Sequence, residues 1–495
     1  MRAFALAFLV LAVLSSPAQL RNAHWIMGGG GWVTIQDGVM QELPFAGTNS
    51  LQTACISDTD GQLVLLVDDQ GIRNASFDPV SGGSAAQLGW SVPMANYLVL
   101  PDPVDVDRYW VFTVQGSVPA QAGVVQVDLS ANGGSGGIIG AGTSWFMMDC
   151  TAKLSATLDE AGSGYWVALH EAEGDAFHSY HLTAEGLAEV PVVSHAGSSY
   201  LSDSAPYGNV DRTRGLEFSA QGDRAAAIVH GITLDTNGID LLRFDRQTGQ
   251  FASHTKLSHL HYAYLPGFYE LNPIIEPLYA GVEFSASGEY LYASQFDSVV
   301  HDYDQEIVEF PVHFEDPQLI ADSARGVITP DAIGYNGPPG DLLAVGVDGD
   351  LHALWRSSGP RKINSFRILP VQIPPPSGWN EIFTLSATPS GFPNQSRNYH
   401  DSHPIGMGVG PAAAEARMRI FPVPMTDRIT VHWEGTERPD QVLWWDSMGR
   451  LVRTESLQGR SSPWILERGG LSQGMHVLEL RNDTRPLARR KVICE

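Results

Sequence analysis

The nine residues GLEFSAQGD, from Gly215 to Asp223, return 66 positions later as GVEFSASGE, from Gly281 to Glu289. A chain that writes one phrase twice builds one supersecondary unit twice, which constrains its fold more than any single segment does. In the first copy Leu216 and Phe218 alternate with Glu217 and Ser219, the period of a half-buried strand. AQGD follows as a turn, RAAAIVH as a second strand, Asn237-Gly238 as a turn signal and IDLLRFD as a third strand, closed by Gln247-Thr248-Gly249. The second copy keeps the order, with Gly281 and Phe284 where the first has Gly215 and Phe218, then ASGE, YLYASQF and QEIVEFPVHF. In each turn the glycine, Gly222 or Gly288, supplies a positive φ, and Ser219 or Ser285 offers an oxygen to nearby amides.

Looser echoes lie at RYWVFTVQG with GVVQVDLS, at GYWVALHEAEGDAFHSYHLT and at DLLAVGVDGDLHALW. A lone antiparallel sheet leaves faces and edges uncovered, so such units are stable when arrayed radially. The predicted fold class is therefore all-β, a β-propeller over residues 24–394. About 370 residues at roughly 40 to 50 per blade make seven or eight blades. Seven is preferred, because Gln250 to Tyr279 and Pro370 to Asn394 read as loop insertions. The 51 glycines and 31 prolines suit short strands and tight turns, and 495 residues exceed one ordinary core.

Charge divides the chain. Glu415 to Glu495 carries 13 Lys and Arg against 11 Asp and Glu, a net +2, whereas the preceding 414 residues carry 17 against 44, a net −27. An acidic body argues against nucleic acid and anionic membrane surfaces as partners. The opening MRAFALAFLVLAVLSSPAQ has one Arg2, an apolar run from Phe4 to Leu14 and small residues at Ser16-Pro17-Ala18. It reads as a signal peptide over residues 1–18, too short to span a bilayer at the ~20 residues that requires. No transmembrane segment is expected in the mature chain. Cys55, Cys150 and Cys494 leave two readings open: Cys55 pairs with Cys150, or the thiols stay free and buried.

From YLVLPDP through GVEFSASGEYLYAS the chain resembles the propeller-type domain of secreted and gliding-associated proteins of the Bacteroidota. After a Gly-, Pro- and Ala-rich linker at 395–414, residues 415–495 restart as short strands (RITVHW, QVLWWDSMGRLVRTE, HVLELRN, RRKVIC) that suggest a small Ig-like β-sandwich. This tail resembles the type A C-terminal sorting domain of type IX secretion cargo. The likeness rests on Pro422 and Pro424, on Asp446, Gly449 and Arg450 in WDSMGR, on Gly474 in LSQGMHVLEL, and on the basic run Arg489-Arg490-Lys491. It implies Sec export, then passage of the outer membrane through the type IX machinery, with the protein outside the cell or on its surface.

No catalytic motif is assigned: the sequence has no HExxH and no Cys/His nucleophile arrangement, and Gly133-Gly134-Ser135-Gly136-Gly137 reads as a flexible connector. In the group His254, His259 and His261 the last two stand two apart, a spacing that can serve a metal, but solvated histidines are the plainer reading. Asp58-Thr59-Asp60-Gly61 and Asp235-Thr236-Asn237-Gly238 lack the distal Glu of a calcium loop and read as Asx-rich turns. Trp90, Tyr109, Trp110, Tyr165 and Trp166 could form a sugar platform, although propeller strands bury such residues. No cofactor, catalytic residue or metal ligand is assigned. The favoured function is a non-enzymatic binding module for a protein or glycan; the alternatives are a hydrolase or lyase working in the channel, and a structural part of an adhesion or motility apparatus.

Overall fold

The computed structural model describes residues 20–36, 39–45, 50, 52–90, 96–116, 119–200, 215–229, 238–258, 278–296, 305–328, 343–345, 351–355, 362–366, 381–384, 392–396, 418–421, 428–433, 439–446, 451–457, 462–471, 473–482 and 485–494. The chain divides into two compact units, Met1–His403 and Pro404–Glu495.

The first unit is a succession of antiparallel blades in chain order; those within residues 54–200 are joined into one twelve-stranded sheet, with a parallel pair at Gly137 and Ser81. Blade 1 has three strands, His24–Ile26, Trp32–Gln36 and Val39–Leu43. Blade 2 runs Ala54–Ser57, Leu63–Asp68, Gly71–Asn74 and Pro79–Ser84. Blade 3 runs Asn96–Pro101, Arg108–Gln115 and Ala120–Asp128, and its outer strand is the first part of a 22-residue strand, Gly137–Leu158. The last part of that strand is the inner strand of blade 4, which continues through Tyr165–Glu171, Gly174–Thr183 and Val192–Tyr200. Blade 5 is Leu216–Phe218, Arg224–Val229, Gly238–Asp245 and Gln250–Leu257; blade 6 is Leu278–Phe284, Leu291–Phe296, Gln305–Phe310 and Arg325–Ile328. Blade 7 is Leu343–Val345, Leu351–Trp355, Lys362–Phe366 and Glu381–Thr384. Seven blades are thus present among the described residues, the number the sequence favours.

These sheets form a ring because the first strand of each blade lies beside the first strand of the next, from His24–Ile26 in turn to Leu343–Val345. Trp25 of blade 1 packs edge-on against His352 of blade 7, with ring centroids 5.0 Å apart, and so joins the last blade to the first. Buried apolar side chains of blades 5 and 6, among them Ile228, Leu241, Tyr279 and Phe284, share one cluster between the two sheets. Phe218 and Phe284 end the inner strands of blades 5 and 6 at matching register, facing Ala225 and Leu291, and both are fully buried. Gly281 lies within the inner strand of blade 6; Gly215 sits just ahead of that of blade 5, where its carbonyl accepts the Ile228 amide at 2.6 Å.

Two sequence readings change here. Gln250–Leu257 is the outer strand of blade 5 rather than loop, because Phe251 and Leu257 are buried and pair with Phe244 and Ile239. Glu381–Thr384 is likewise a strand inside the supposed second insertion. Residues 259–277 and 367–380 lie outside the described residues.

The second unit is a β-sandwich. One sheet orders Met418–Phe421, Arg428–Trp433 and Trp464–Glu467; the other orders Leu451–Ser456, Gln441–Asp446, Gly474–Asn482 and Arg485–Cys494. Pairs two apart on every core strand, Ile429 and Val431, Val442 and Trp444, Trp464 and Leu466, Leu478 and Leu480, Val492 and Cys494, fill the space between sheets. Arg453 ties one edge by donating from Nη1 to the Glu467 carbonyl at 2.7 Å.

Candidate functional site

The turn built by Ser219–Gly222 occurs four times at one end of the ring. Gly61, Gly162, Gly222 and Gly288 have φ of 79°, 66°, 73° and 71°. Each donates its amide to the carbonyl three residues back, of Asp58, Asp159, Ser219 and Ser285, at 3.1, 3.1, 2.8 and 2.8 Å. The side chain of that same residue accepts a further amide: Gln62 to Asp58 at 2.8 Å, Ser163 to Asp159 at 2.9 Å, Arg224 to Ser219 at 3.3 Å and Tyr290 to Ser285 at 3.2 Å. Aspartate and serine are interchangeable here because both place an acceptor oxygen within reach of the same backbone. Asp58-Thr59-Asp60-Gly61 is therefore a blade turn, as the Asx reading expects; residues 235–237 of its companion lie outside the described residues.

Neighbouring turns touch. A Cβ on Gly222 would run into Thr157 Oγ1 of blade 4, and one on Gly288 into the Gln221 side chain of blade 5. Arg246, in the last hairpin of blade 5, reaches back across blade 4. Its Nε donates to the Leu158 carbonyl at 2.9 Å and its Nη2 to the Asp159 carbonyl at 2.6 Å, while Nη1 donates to Gln221 of its own blade at 3.1 Å. The planar guanidinium suits this fork of carbonyls.

The most distinctive arrangement is the segment Phe392–Ser396, FPNQS, which follows blade 7. Asn394 donates its amide to the Thr53 carbonyl at 3.0 Å and its Nδ2 to Asn96 Oδ1 at 3.1 Å and the Leu154 carbonyl at 3.2 Å. Gln395 Nε2 donates to the carbonyls of His24 at 3.1 Å and Cys55 at 3.0 Å. Ser396 Oγ donates to the Ala156 carbonyl at 3.1 Å, and its own carbonyl accepts Asn22 Nδ2 at 2.9 Å. Phe392 packs edge-on to Trp25 at 5.0 Å. Three adjacent residues thus reach blades 1, 2, 3 and 4, which is feasible only where inner strands converge, at the ring axis. Inner strands present an unpaired backbone edge there, and the amide and hydroxyl donors of this segment satisfy it. Gln395 and Ser396 belong to this structure rather than to a linker.

The candidate histidines have local partners. His254 Nε2 lies 2.9 Å from Asp240 Oδ1, and the Ser198 hydroxyl donates to the same oxygen at 2.9 Å. Asp240 stands between the two, so the Ser198 hydroxyl is held by the carboxylate rather than by the His254 imidazole that would activate a nucleophile. His259 and His261 lie outside the described residues. His181 stacks on Trp166 at 4.1 Å and meets Asp159 Oδ2 at 3.2 Å. His195, exposed, pairs with Asp175 at 2.7 Å, which raises its pKa; burial lowers that of His178. Burial, followed by the nearby Lys153 ammonium, pushes His170 down to about 3. No grouping of three or more His, Cys, Asp or Glu that could hold a metal occurs among the described residues.

Cys55 and Cys150 form no disulfide and are buried, as is Cys494, and burial pushes Cys55 and Cys150 each up to about 12. Cys55 instead meets the His24 carbonyl at 3.2 Å and Gln395 Nε2 at 3.4 Å. Trp90, Tyr109, Tyr165 and Trp166 are buried, and Trp110 donates to Asp102 Oδ2 at 2.7 Å, so no sugar platform forms from them. In the sandwich, Asp446 ends one strand and Gly474 begins another. Asp446 pairs with His476 and Gly474 with Cys494, which brings both to one end of the four-stranded sheet. Pro422, Pro424, Gly449 and Arg450 lie outside the described residues.

No curated protein matches the sequence. Among solved structures, the β-propeller domain of the trilobed protease from Pyrococcus furiosus shares 8% identity, covers 80% of this chain and 94% of its own, and has a TM-score of 0.28. A hypothetical selenium-binding protein from Sulfolobus tokodaii shares 10%, covers 77% and 94%, and scores 0.39. An oligogalacturonate lyase in complex with manganese shares 8%, covers 67% and 81%, and scores 0.36. These scores are low, and the ring described above rests on its own strand order and neighbouring inner strands. Residues 419–495 match the family of secretion system C-terminal sorting domains. The C-terminal sandwich is a type IX secretion sorting domain, and the chain is a β-propeller protein addressed to the cell surface or the extracellular space.

Proposed function

We propose that the exported ring is a non-enzymatic interaction module that meets its protein or glycan partner outside the cell. The observation that carries this reading is the occupied axis: the inner edges of blades 1 to 4, where a channel substrate would lie, are satisfied by Asn394, Gln395 and Ser396. The His254, Asp240 and Ser198 group supports it too, since both partners converge on the carboxylate and none is left as an activated nucleophile. The residues of the four blade turns hydrogen-bond within their turns or to the neighbouring blade, a role in architecture.

Purified full-length protein incubated with polysaccharides, lactones and peptides, with and without chelator, tests the reading. The expected outcome is no turnover of any class. Turnover that is lost on substituting a residue of the ring would replace this function with the channel-enzyme alternative.

A further inference from the structure

The segment Phe392–Ser396 is held less like a strand than like a bound peptide. A strand closing a sheet would exchange main-chain hydrogen bonds along its length. Among the described residues the Asn394 amide bonds the Thr53 carbonyl, and side chains carry further bonds: Asn394 Nδ2, Gln395 Nε2 and Ser396 Oγ donate, and Asn22 Nδ2 donates to the segment. Phe392 supplies a buried aromatic anchor, edge-on to Trp25, which itself packs against His352. An anchor ring followed by amide side chains read by fixed backbone carbonyls is how a preformed surface recognises an extended peptide. The receiving groups are the carbonyls of His24, Thr53, Cys55, Leu154 and Ala156, all on rigid inner strands or next to one.

We propose that the axis face of blades 1 to 4 is a peptide-recognition site for an extended aromatic-Pro-Asn-Gln-Ser type sequence, held shut in cis by the chain's own Phe392–Ser396. The site selects primary amides and a hydroxyl because the groups that meet Asn394 Nδ2, Gln395 Nε2 and Ser396 Oγ are acceptors, while Asn22 Nδ2 donates to the Ser396 carbonyl. Covalent attachment gives the segment an effective concentration on the order of 1 mM, so a free peptide of about 10 μM affinity would bind the intact chain about 100-fold more weakly than a chain whose segment has let go. The inference rests on the hydrogen bonds of the segment, not on the lack of catalysis, so an active enzyme would leave it standing.

Cys55 reports on the site, because Gln395 Nε2 donates to its thiol at 3.4 Å. The experiment uses the full-length chain as wild type, Gln395→Ala and Phe392→Ala with Gln395→Ala. Each is titrated with a fluorescein-labelled peptide of residues 390–398 and a scrambled control, and alkylation of Cys55 is followed by mass-mapped peptides. The double variant is expected to alkylate at Cys55 at least 10-fold faster than wild type, to bind the labelled peptide at least 10-fold more tightly, and to regain protection when peptide is added. If the double variant loses its near-ultraviolet circular dichroism, Gln395→Ala carries the same comparison. An exposed Cys55 with no peptide binding or protection would overturn the proposal, leaving the segment a filler. So would equal binding to wild type and variants, or a Cys55 that stays protected in both.

Discussion

Alanine at each of the four turn glycines should destabilise the ring by amounts the structure ranks in advance. All four have φ between 66° and 79°, so each substitution costs about 1 kcal/mol for the left-handed backbone alone. Around Gly162 no other group lies within 4 Å, and around Gly61 the nearest is the Ala23 Cβ at 3.5 Å, so these two should cost only that amount. At Gly288 the obstacle is the end of the exposed Gln221 side chain, which can swing away. At Gly222 the new methyl meets Thr157 Oγ1, on a fully buried β-branched side chain, with Arg246 Cδ at 3.1 Å on the other side. Overpacking of that kind adds about 1–3 kcal/mol, for a total of about 2–4 kcal/mol. The assay is urea denaturation followed by tryptophan fluorescence, comparing midpoints at a shared slope. The predicted order is Gly222→Ala well below Gly288→Ala, with Gly61→Ala and Gly162→Ala closest to wild type. Equal shifts at all four, or a larger shift at Gly162 than at Gly222, would refute the argument that these turns tile against one another.

Arg246→Ala should cost about 2–3 kcal/mol by freeing the Leu158 and Asp159 carbonyls, and Arg246→Lys should recover little of it, because an ammonium cannot span the fork; thermal unfolding of the three proteins checks both. His170 titrates near 3 in the folded chain and near 6.5 when unfolded, so the unfolded state binds the extra proton between those values. Stability should therefore fall by up to about 1.4 kcal/mol per pH unit on acidification through that window, and His170→Leu, measured by denaturation at pH 7 and pH 5, should lose this part of the dependence. Phe218→Ala, which empties a site against Phe244 and Phe251, should cost about 3–5 kcal/mol, seen as a lowered urea midpoint.

How much of this was legible in the sequence depends on whether a feature repeats. The Ser-Ala-x-Gly corner is readable because it occurs twice almost unchanged. Its two further copies, DTDG at 58–61 and DEAG at 159–162, escape a search for serine, although an acceptor residue three before a glycine would have found them. The outer strand Gln250–Leu257 hides because His254 and Lys256 lie between its apolar residues and the alternation is brief. The 22-residue strand shared by blades 3 and 4 is invisible as such, since its exposed first part, including Trp145 at 38% exposure, lacks the pattern of its buried last part. The axis segment leaves no periodic trace at all, because side-chain amides reaching backbone carbonyls obey no spacing. The sorting domain is readable from motif order, even though Pro422, Pro424, Gly449 and Arg450 lie outside the described residues.

The central claim, that a folded ring is carried outward by its C-terminal sandwich, is tested most directly by measuring how the protein divides between the producing cell and its exterior, for the full chain and for one ending at His403. The account predicts that the full chain is found at the surface or in the medium while the shortened chain, folded and intact, stays inside the envelope. Equal export of the two would contradict it.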